Sequence, residues 1–301
     1  MQLTGIIAPL VTPFLADGAL ELSAFEANLD SYAGEDLSGY LVLGSNGEAA
    51  ALDEPEKLRL VQAARAGCPR ERVLLVGTGL ESTQATIAFT RRVADLGADA
   101  ALVLTPHYYR PQMSSEALRR HYQAVADAAP LPVLFYSVPQ YTGLSFPVEL
   151  AAALCAHPRV AGIKESSGDV GLLARLVSAT SAGFRVVCGA APVLYPALCV
   201  GASAGILAVA CCVPGVAARL YRAFECGDHA AASRLQQALT PLAVLVTTRY
   251  GVAGLKLAMD LSGRRGGHVR APLLASPVSA REELQGALQD LQSALAGGPR
   301  P

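Results

Sequence analysis

The chain has 301 residues, 52% of them hydrophobic and 16% charged, with a formal net charge of −1. That length admits one large α/β domain or two smaller ones, and the apolar content is that of a compact core, not of a disordered chain. With no basic stripe or acidic tail, the charge pattern speaks against nucleic acid and membrane surfaces as partners.

In chain order, short apolar runs predict strands over residues 5–11, 39–44, 73–78, 100–105, 132–137, 160–165, 184–189 and 203–209. Amphipathic stretches predict helices near 23–35, 54–66, 82–96, 114–128, 147–156, 170–180, 190–199 and 213–226. The strand runs are apolar throughout instead of alternating, as expected of parallel strands covered on both faces. Eight strand–helix units fit an α/β fold of the (β/α)8 TIM barrel type, whose usual length is about 250 residues. A doubly wound sheet is the alternative, but it does not require eight units and carries a glycine-rich turn after its first strand. Residues 228–295 then read as helices alone, near 228–247, 250–262 and 279–295. The expectation is a catalytic barrel over 1–226 with a C-terminal helical appendix over 227–301 packed on it, ending in a frayed tail at 297–301.

The start of the chain enters a strand directly, and no apolar stretch is long and uniform enough to span a bilayer; 187–216 is broken by glycines and prolines. The seven cysteines form no C-x-x-C pair and lie mostly in apolar surroundings. Buried free thiols in a reducing cytoplasm are the expectation.

Lysine is scarce: three residues, Lys57, Lys164 and Lys256, against 21 arginines. Lys57 sits in a charged helix start and reads as a solvated surface charge. Lys256 falls in the helical appendix and reads as a snorkelling structural residue. Lys164 ends the apolar run Val160–Ala161–Gly162–Ile163, where a cation is costly to desolvate. Desolvation favours the neutral form of an amine, and a neutral amine attacks carbonyls; an arginine there cannot lose its proton.

Barrel enzymes place their chemistry at the carboxyl ends of the strands. Those ends carry Thr12–Pro13–Phe14, Gly44–Ser45–Asn46–Gly47–Glu48, Thr105–Pro106–His107–Tyr108–Tyr109–Arg110, Tyr136–Ser137–Val138–Pro139, Lys164–Glu165–Ser166, Cys188–Gly189 and Gly205–Ile206. One nucleophile, several phenols and a Gly-Ser-Asn-Gly turn suited to a carboxylate therefore share one face. No His/Asp/Glu set with ligand spacing appears, so no metal is expected. Singly, each signal has a plainer reading: a strand-end lysine is more often an ion-pair partner, here of Glu165, and a Tyr-Tyr pair is more often packing. Glu48 and Glu165 are expected to orient loops, and His107 to support the site without reacting.

At these residues the chain resembles the pyruvate-dependent class I aldolases of the dihydrodipicolinate synthase / N-acetylneuraminate lyase family. The resemblance rests on Gly44–Ser45–Asn46–Gly47–Glu48, on Pro106–His107–Tyr108–Tyr109–Arg110–Pro111, on Tyr136–Ser137–Val138–Pro139 with Thr142–Gly143, and on Gly162–Ile163–Lys164–Glu165. Within that family the wording is closest to the 4-hydroxy-2-oxoglutarate aldolase branch, including Arg249–Tyr250–Gly251–Val252–Ala253–Gly254–Leu255–Lys256. The synthase branch carries an arginine just before its Thr-Gly, where this chain has Tyr141, and a threonine where this chain has Asn46.

The resemblance implies retro-aldol cleavage of a 4-hydroxy-2-oxo acid, such as 4-hydroxy-2-oxoglutarate, to pyruvate and glyoxylate. It implies no cofactor beyond a covalent imine on Lys164. Tyr136 is then the acid–base group, and Tyr108 extends the proton relay from a neighbouring subunit of a homo-oligomer, a dimer of dimers. Ser45, Asn46 and Gly47 hold the pyruvyl carboxylate, Gly189 and Ile206 line its pocket, Ser166 meets the distal end of the substrate, and Arg110 takes the glyoxylate carboxylate. The rival readings are a 4-hydroxy-tetrahydrodipicolinate synthase, a lyase or dehydratase of sugar-derived 2-oxo acids, and a non-catalytic oxo-acid-binding barrel.

Overall fold

The structure is a computed structural model and describes residues 3–296. The tail expected to fray, 297–301, lies outside the described residues. Eight parallel strands close on themselves in sequence order: β1 (Gly5–Pro9), β2 (Gly39–Val42), β3 (Val73–Gly77), β4 (Ala100–Leu104), β5 (Val133–Ser137), β6 (Val160–Glu165), β7 (Arg185–Cys188) and β8 (Ala204–Ile206). The helices between them are α1 (Leu22–Ser31), α2 (Glu54–Gly67), α3 (Thr83–Asp95), α4 (Ser115–Ala128), α5 (Pro139–Thr142), α6 (Val148–Leu154), α7 (Val170–Ala179) and α8 (Leu194–Cys199). They are followed by α9 (Pro214–Glu225), α10 (His229–Val244), α11 (Gly251–Leu261) and α12 (Ser279–Ala296). This is the (β/α)8 barrel with C-terminal helices that the sequence predicts. All strands but β6 are shorter than the apolar runs that announce them. After β8 the run 208–211 winds into a 3₁₀ turn instead of extending to 209.

Apolarity on both strand faces has its physical reason in two separate cores. Leu41, Leu75, Leu102, Leu134, Val187 and Ile206 fill the barrel interior. A second, larger core lies between strands and helices, and it takes in residues such as Val42, Val76, Val103, Phe135 and Ile163 from the opposite strand faces. Leu239, Leu242, Val246, Leu255, Met259, Leu284 and Leu291 of the C-terminal helices belong to that same outer core. Residues 227–296 are thus packed into the barrel's own core.

One irregularity decides which way Lys164 faces. Along β6, Val160 and Ile163 pack in the outer core while Ala161 packs against the barrel interior. Strict alternation would give Lys164 the parity of Val160 and turn it toward the helices. The pairing with β5 instead shifts between Val133 and Leu134, so that Val160 meets Val133 but Gly162 meets Leu134. This one-residue bulge brings Lys164 beside Tyr136 on the inward face. Gly162 is required there, because a Cβ would collide with the carbonyl of Arg185 on β7.

The cysteines are all free, but only Cys68, Cys188, Cys211 and Cys212 are buried; Cys199 and Cys226 are exposed. Free thiols were the expectation, and burial holds for four of the seven, with Cys155 intermediate. Burial pushes the Cys188 and Cys212 thiols up to about 12, which keeps them protonated. Among the described residues, no helix is long and apolar enough to cross a membrane.

Candidate active site

Adjacent strands deliver the two central groups. Tyr136 on β5 and Lys164 on β6 are register partners, each 5% exposed, and the lysine Nζ stands 4.3 Å from the centre of the phenol ring. The Tyr136 hydroxyl is in turn 3.2 Å from the Ser45 Oγ on the loop after β2. An amine, a phenol and a hydroxyl are so arranged within reach of one small molecule.

Glu165 is not the ion-pair partner of Lys164. Its parity is outward, and its carboxylate accepts hydrogen bonds from the Ser167 amide and Ser167 Oγ, both at 2.9 Å, with Ser137 Oγ at 3.5 Å. Burial raises its carboxyl above the usual glutamate range, against the pull of the Ser167 hydrogen bonds. It therefore fixes the start of the loop after β6, the orienting role expected of it.

A cleft of about 470 Å³, counted to its open mouth, lies over Lys164. Of the residues singled out in the sequence, Ser45, Asn46, Tyr136, Lys164, Ser166, Gly189 and Ile206 line it. Ser166 Oγ is buried without a hydrogen-bond partner, so it is free to meet a ligand. Gly189 makes room for it, because a Cβ there would overlap that hydroxyl.

Three expected residues are not in the cleft wall. Gly47 is buried beneath it, its carbonyl accepting a hydrogen bond from Thr12 Oγ1 at 2.7 Å. Tyr108 is 76% exposed and packs edge-on against Tyr109. Its amide and that of His107 donate to Glu81, at 2.8 and 2.9 Å, so a carboxylate anchors this loop. Arg110 is exposed, with its guanidinium lying against Gly143 on the loop after β5.

Gln140, Tyr141, Val246, Thr247 and Gly251, with Pro9 and Ala208, complete the cleft. Val246 and Thr247 come from a single wide π turn, Leu245–Arg249, between α10 and α11. A continuous helix over 228–247 was the expectation. Such turns are known to occur at functional sites, but nothing in the hydrophobic periodicity signals one. The C-terminal helices thus supply one wall of the site. Two further expectations are corrected. Lys57 is partly buried, and burial lowers its ammonium. Lys256 does not snorkel: it is 1% exposed, with its Nζ 2.5 Å from Glu48 Oε1.

Fold and site together define a barrel with a buried lysine and a phenol at its strand ends, and its relatives make it an enzyme of the lyase class. Comparison with known proteins agrees over nearly the whole chain. The protein belongs to the Dihydrodipicolinate synthetase family, which it matches over residues 2–291. It is 38% identical over 283 residues to the 4-hydroxy-tetrahydrodipicolinate synthase of Xanthomonas campestris pv. campestris, covering 94% of this chain and 92% of the relative. The enzyme of that name from an Exiguobacterium species is 31% identical over 286 residues, covering 95% and 97%. Among solved structures, the 4-hydroxy-tetrahydrodipicolinate synthase of Methylacidiphilum fumariolicum superposes with a TM-score of 0.92 at 27% identity, covering 98% of each chain. The dihydrodipicolinate synthase of Acinetobacter baumannii complexed with pyruvate also gives 0.92, at 28% identity and 97% and 99% coverage.

Proposed function

We propose that this protein is a pyruvate-dependent class I aldolase that works through an imine on Lys164. The observation that carries the reading is the buried amine over the Tyr136 ring, with Ser45 hydrogen-bonded to the phenol and the neighbouring Glu165 carboxylate engaged by Ser167 instead of the nitrogen. In the cleavage direction, Lys164 Nζ adds to the keto carbon of a 4-hydroxy-2-oxo acid and water leaves. The protonated imine then accepts the electron pair of the breaking C3–C4 bond. Tyr136 takes the proton of the C4 hydroxyl and later returns a proton to C3 of the enamine, after which hydrolysis frees pyruvate. In the condensing direction the same enamine attacks an aldehyde. Ser45 relays the phenolic proton, and Asn46 with the loop amides holds the pyruvyl carboxylate.

The relay continues to Tyr108 of a neighbouring copy. Its exposure and its place outside its own cleft support that reading, and with it a homo-oligomer arranged as a dimer of dimers.

For the aldehyde, two supports diverge. The names of the relatives favour aspartate semialdehyde and a 4-hydroxy-tetrahydrodipicolinate synthase reaction. Tyr141 in the cleft wall, where the synthase branch carries an arginine, favours glyoxylate and cleavage of 4-hydroxy-2-oxoglutarate. Arg110 against Gly143 offers a guanidinium to either carboxylate. Pyruvate release from 4-hydroxy-2-oxoglutarate, measured beside pyruvate consumption with aspartate semialdehyde, separates the two. A kcat/KM at least tenfold higher for one decides it, and activity with neither removes both assignments and leaves a sugar-derived 2-oxo acid as the substrate class.

A further inference from the structure

Lys256 on α11 is bound in a way that a scaffold contact does not require. An ammonium has three donors, and here two carbonyls accept hydrogen bonds from it and a carboxylate pairs with its charge, from three separate parts of the chain. They are the Thr12 carbonyl at 2.7 Å, the His268 carbonyl at 2.5 Å and Glu48 Oε1 at 2.5 Å. The second carboxylate oxygen of Glu48 accepts the Arg270 amide at 2.8 Å. Glu48 itself has φ +52°, a left-handed conformation that costs free energy in a residue with a Cβ and persists only where its surroundings hold it. It closes the loop whose other members, Ser45 and Asn46, line the cleft. Thr12, whose carbonyl binds Lys256, also donates through its hydroxyl to the Gly47 carbonyl of that loop.

We propose that Lys256 and Glu48 are a positioning pair through which the C-terminal helices set the shape of the pyruvate-carboxylate cradle. Neither residue lines the cleft. Their effect reaches the ligand only through the loop they hold, which presents Asn46 and its backbone amides to the carboxylate and Ser45 to the Tyr136 hydroxyl. The inference rests on the reading of this loop as the pyruvate cradle given above.

The test compares the unmodified protein with Lys256→Met, Glu48→Gln and the double variant. Pyruvate affinity is measured by calorimetry, imine formation by borohydride trapping and intact mass, and folding by circular dichroism. The single variants are expected to weaken pyruvate binding tenfold or more, within the roughly 10²-fold that a 1 Å misplacement can cost. Trapping at saturating pyruvate should still reach completion, because Lys164 and Tyr136 are untouched. If the single variants do not fold, the double variant, which leaves no unpaired charge, carries the same expectation. Unchanged pyruvate affinity in a folded variant, even with a lowered melting temperature, overturns the proposal; so does failure of all three variants to fold. An unmodified protein that binds pyruvate without an adduct refutes the imine reading alone, and the affinity ratios still decide the positioning role. If the unmodified protein binds no pyruvate, both ideas fall.

Discussion

Lys164 and Lys256 are both buried, at 5% and 1% exposure, and both sit against an aromatic ring, Tyr136 at 4.3 Å and Phe14 at 4.7 Å. Their surroundings otherwise differ completely. Lys256 has a carboxylate and two carbonyls around its nitrogen, which hold the charge in place although burial alone pushes its ammonium below the usual lysine range. Lys164 has a phenol ring, a cleft and a neighbouring glutamate that is already engaged by serines. Burial is thus common to the amine proposed to react and to the one held in an ion pair. What separates them is whether the fold supplies acceptors for the ammonium.

Substitutions that exchange the two situations should break this contrast most visibly. Lys164→Arg keeps a cation and removes the nucleophile, so turnover should fall to background while the circular dichroism spectrum is retained. Tyr136→Phe keeps the ring beside Lys164 but removes its proton, and should lower kcat by about 10²–10⁴-fold in a steady-state assay. Tyr108→Phe should lower kcat toward the smaller end of that range, about 10²-fold, since it acts at one remove. The effect on the structural side should appear in stability. Lys256→Met leaves the Glu48 carboxylate buried and unpaired, which should cost about 3–5 kcal/mol in denaturant unfolding. Replacing both members by uncharged residues should cost much less, because the pair's own desolvation penalty is removed as well.

The sequence carried the barrel legibly, because parallel strands buried on both faces show as uniform apolar runs and the helices between them keep a 3.6-residue period. Seven of the expected site residues meet in one cleft for the same reason: strand ends in this fold share a face. What stayed hidden is local. Counting by twos from Val160 turns Lys164 outward, and only the β5–β6 pairing reveals the bulge at Ala161–Gly162 that turns it in. The wall formed by Val246 and Thr247 depends on a widened helical turn with no sequence mark. The partner of Lys256 lies 208 positions earlier, at Glu48, a separation that periodicity cannot bridge. The hydrogen bond from Ser45 to the Tyr136 hydroxyl joins two strand ends 91 positions apart, and the motifs that contain them do not announce it.

The central claim is chemical and concerns one nitrogen. Incubation with pyruvate and borohydride, followed by peptide mapping, tests it most directly. A single reduced pyruvyl group on the peptide containing Lys164, absent in Lys164→Arg, is the predicted result. An unlabelled protein, or a label on Lys57 or Lys256 in place of Lys164, would contradict it.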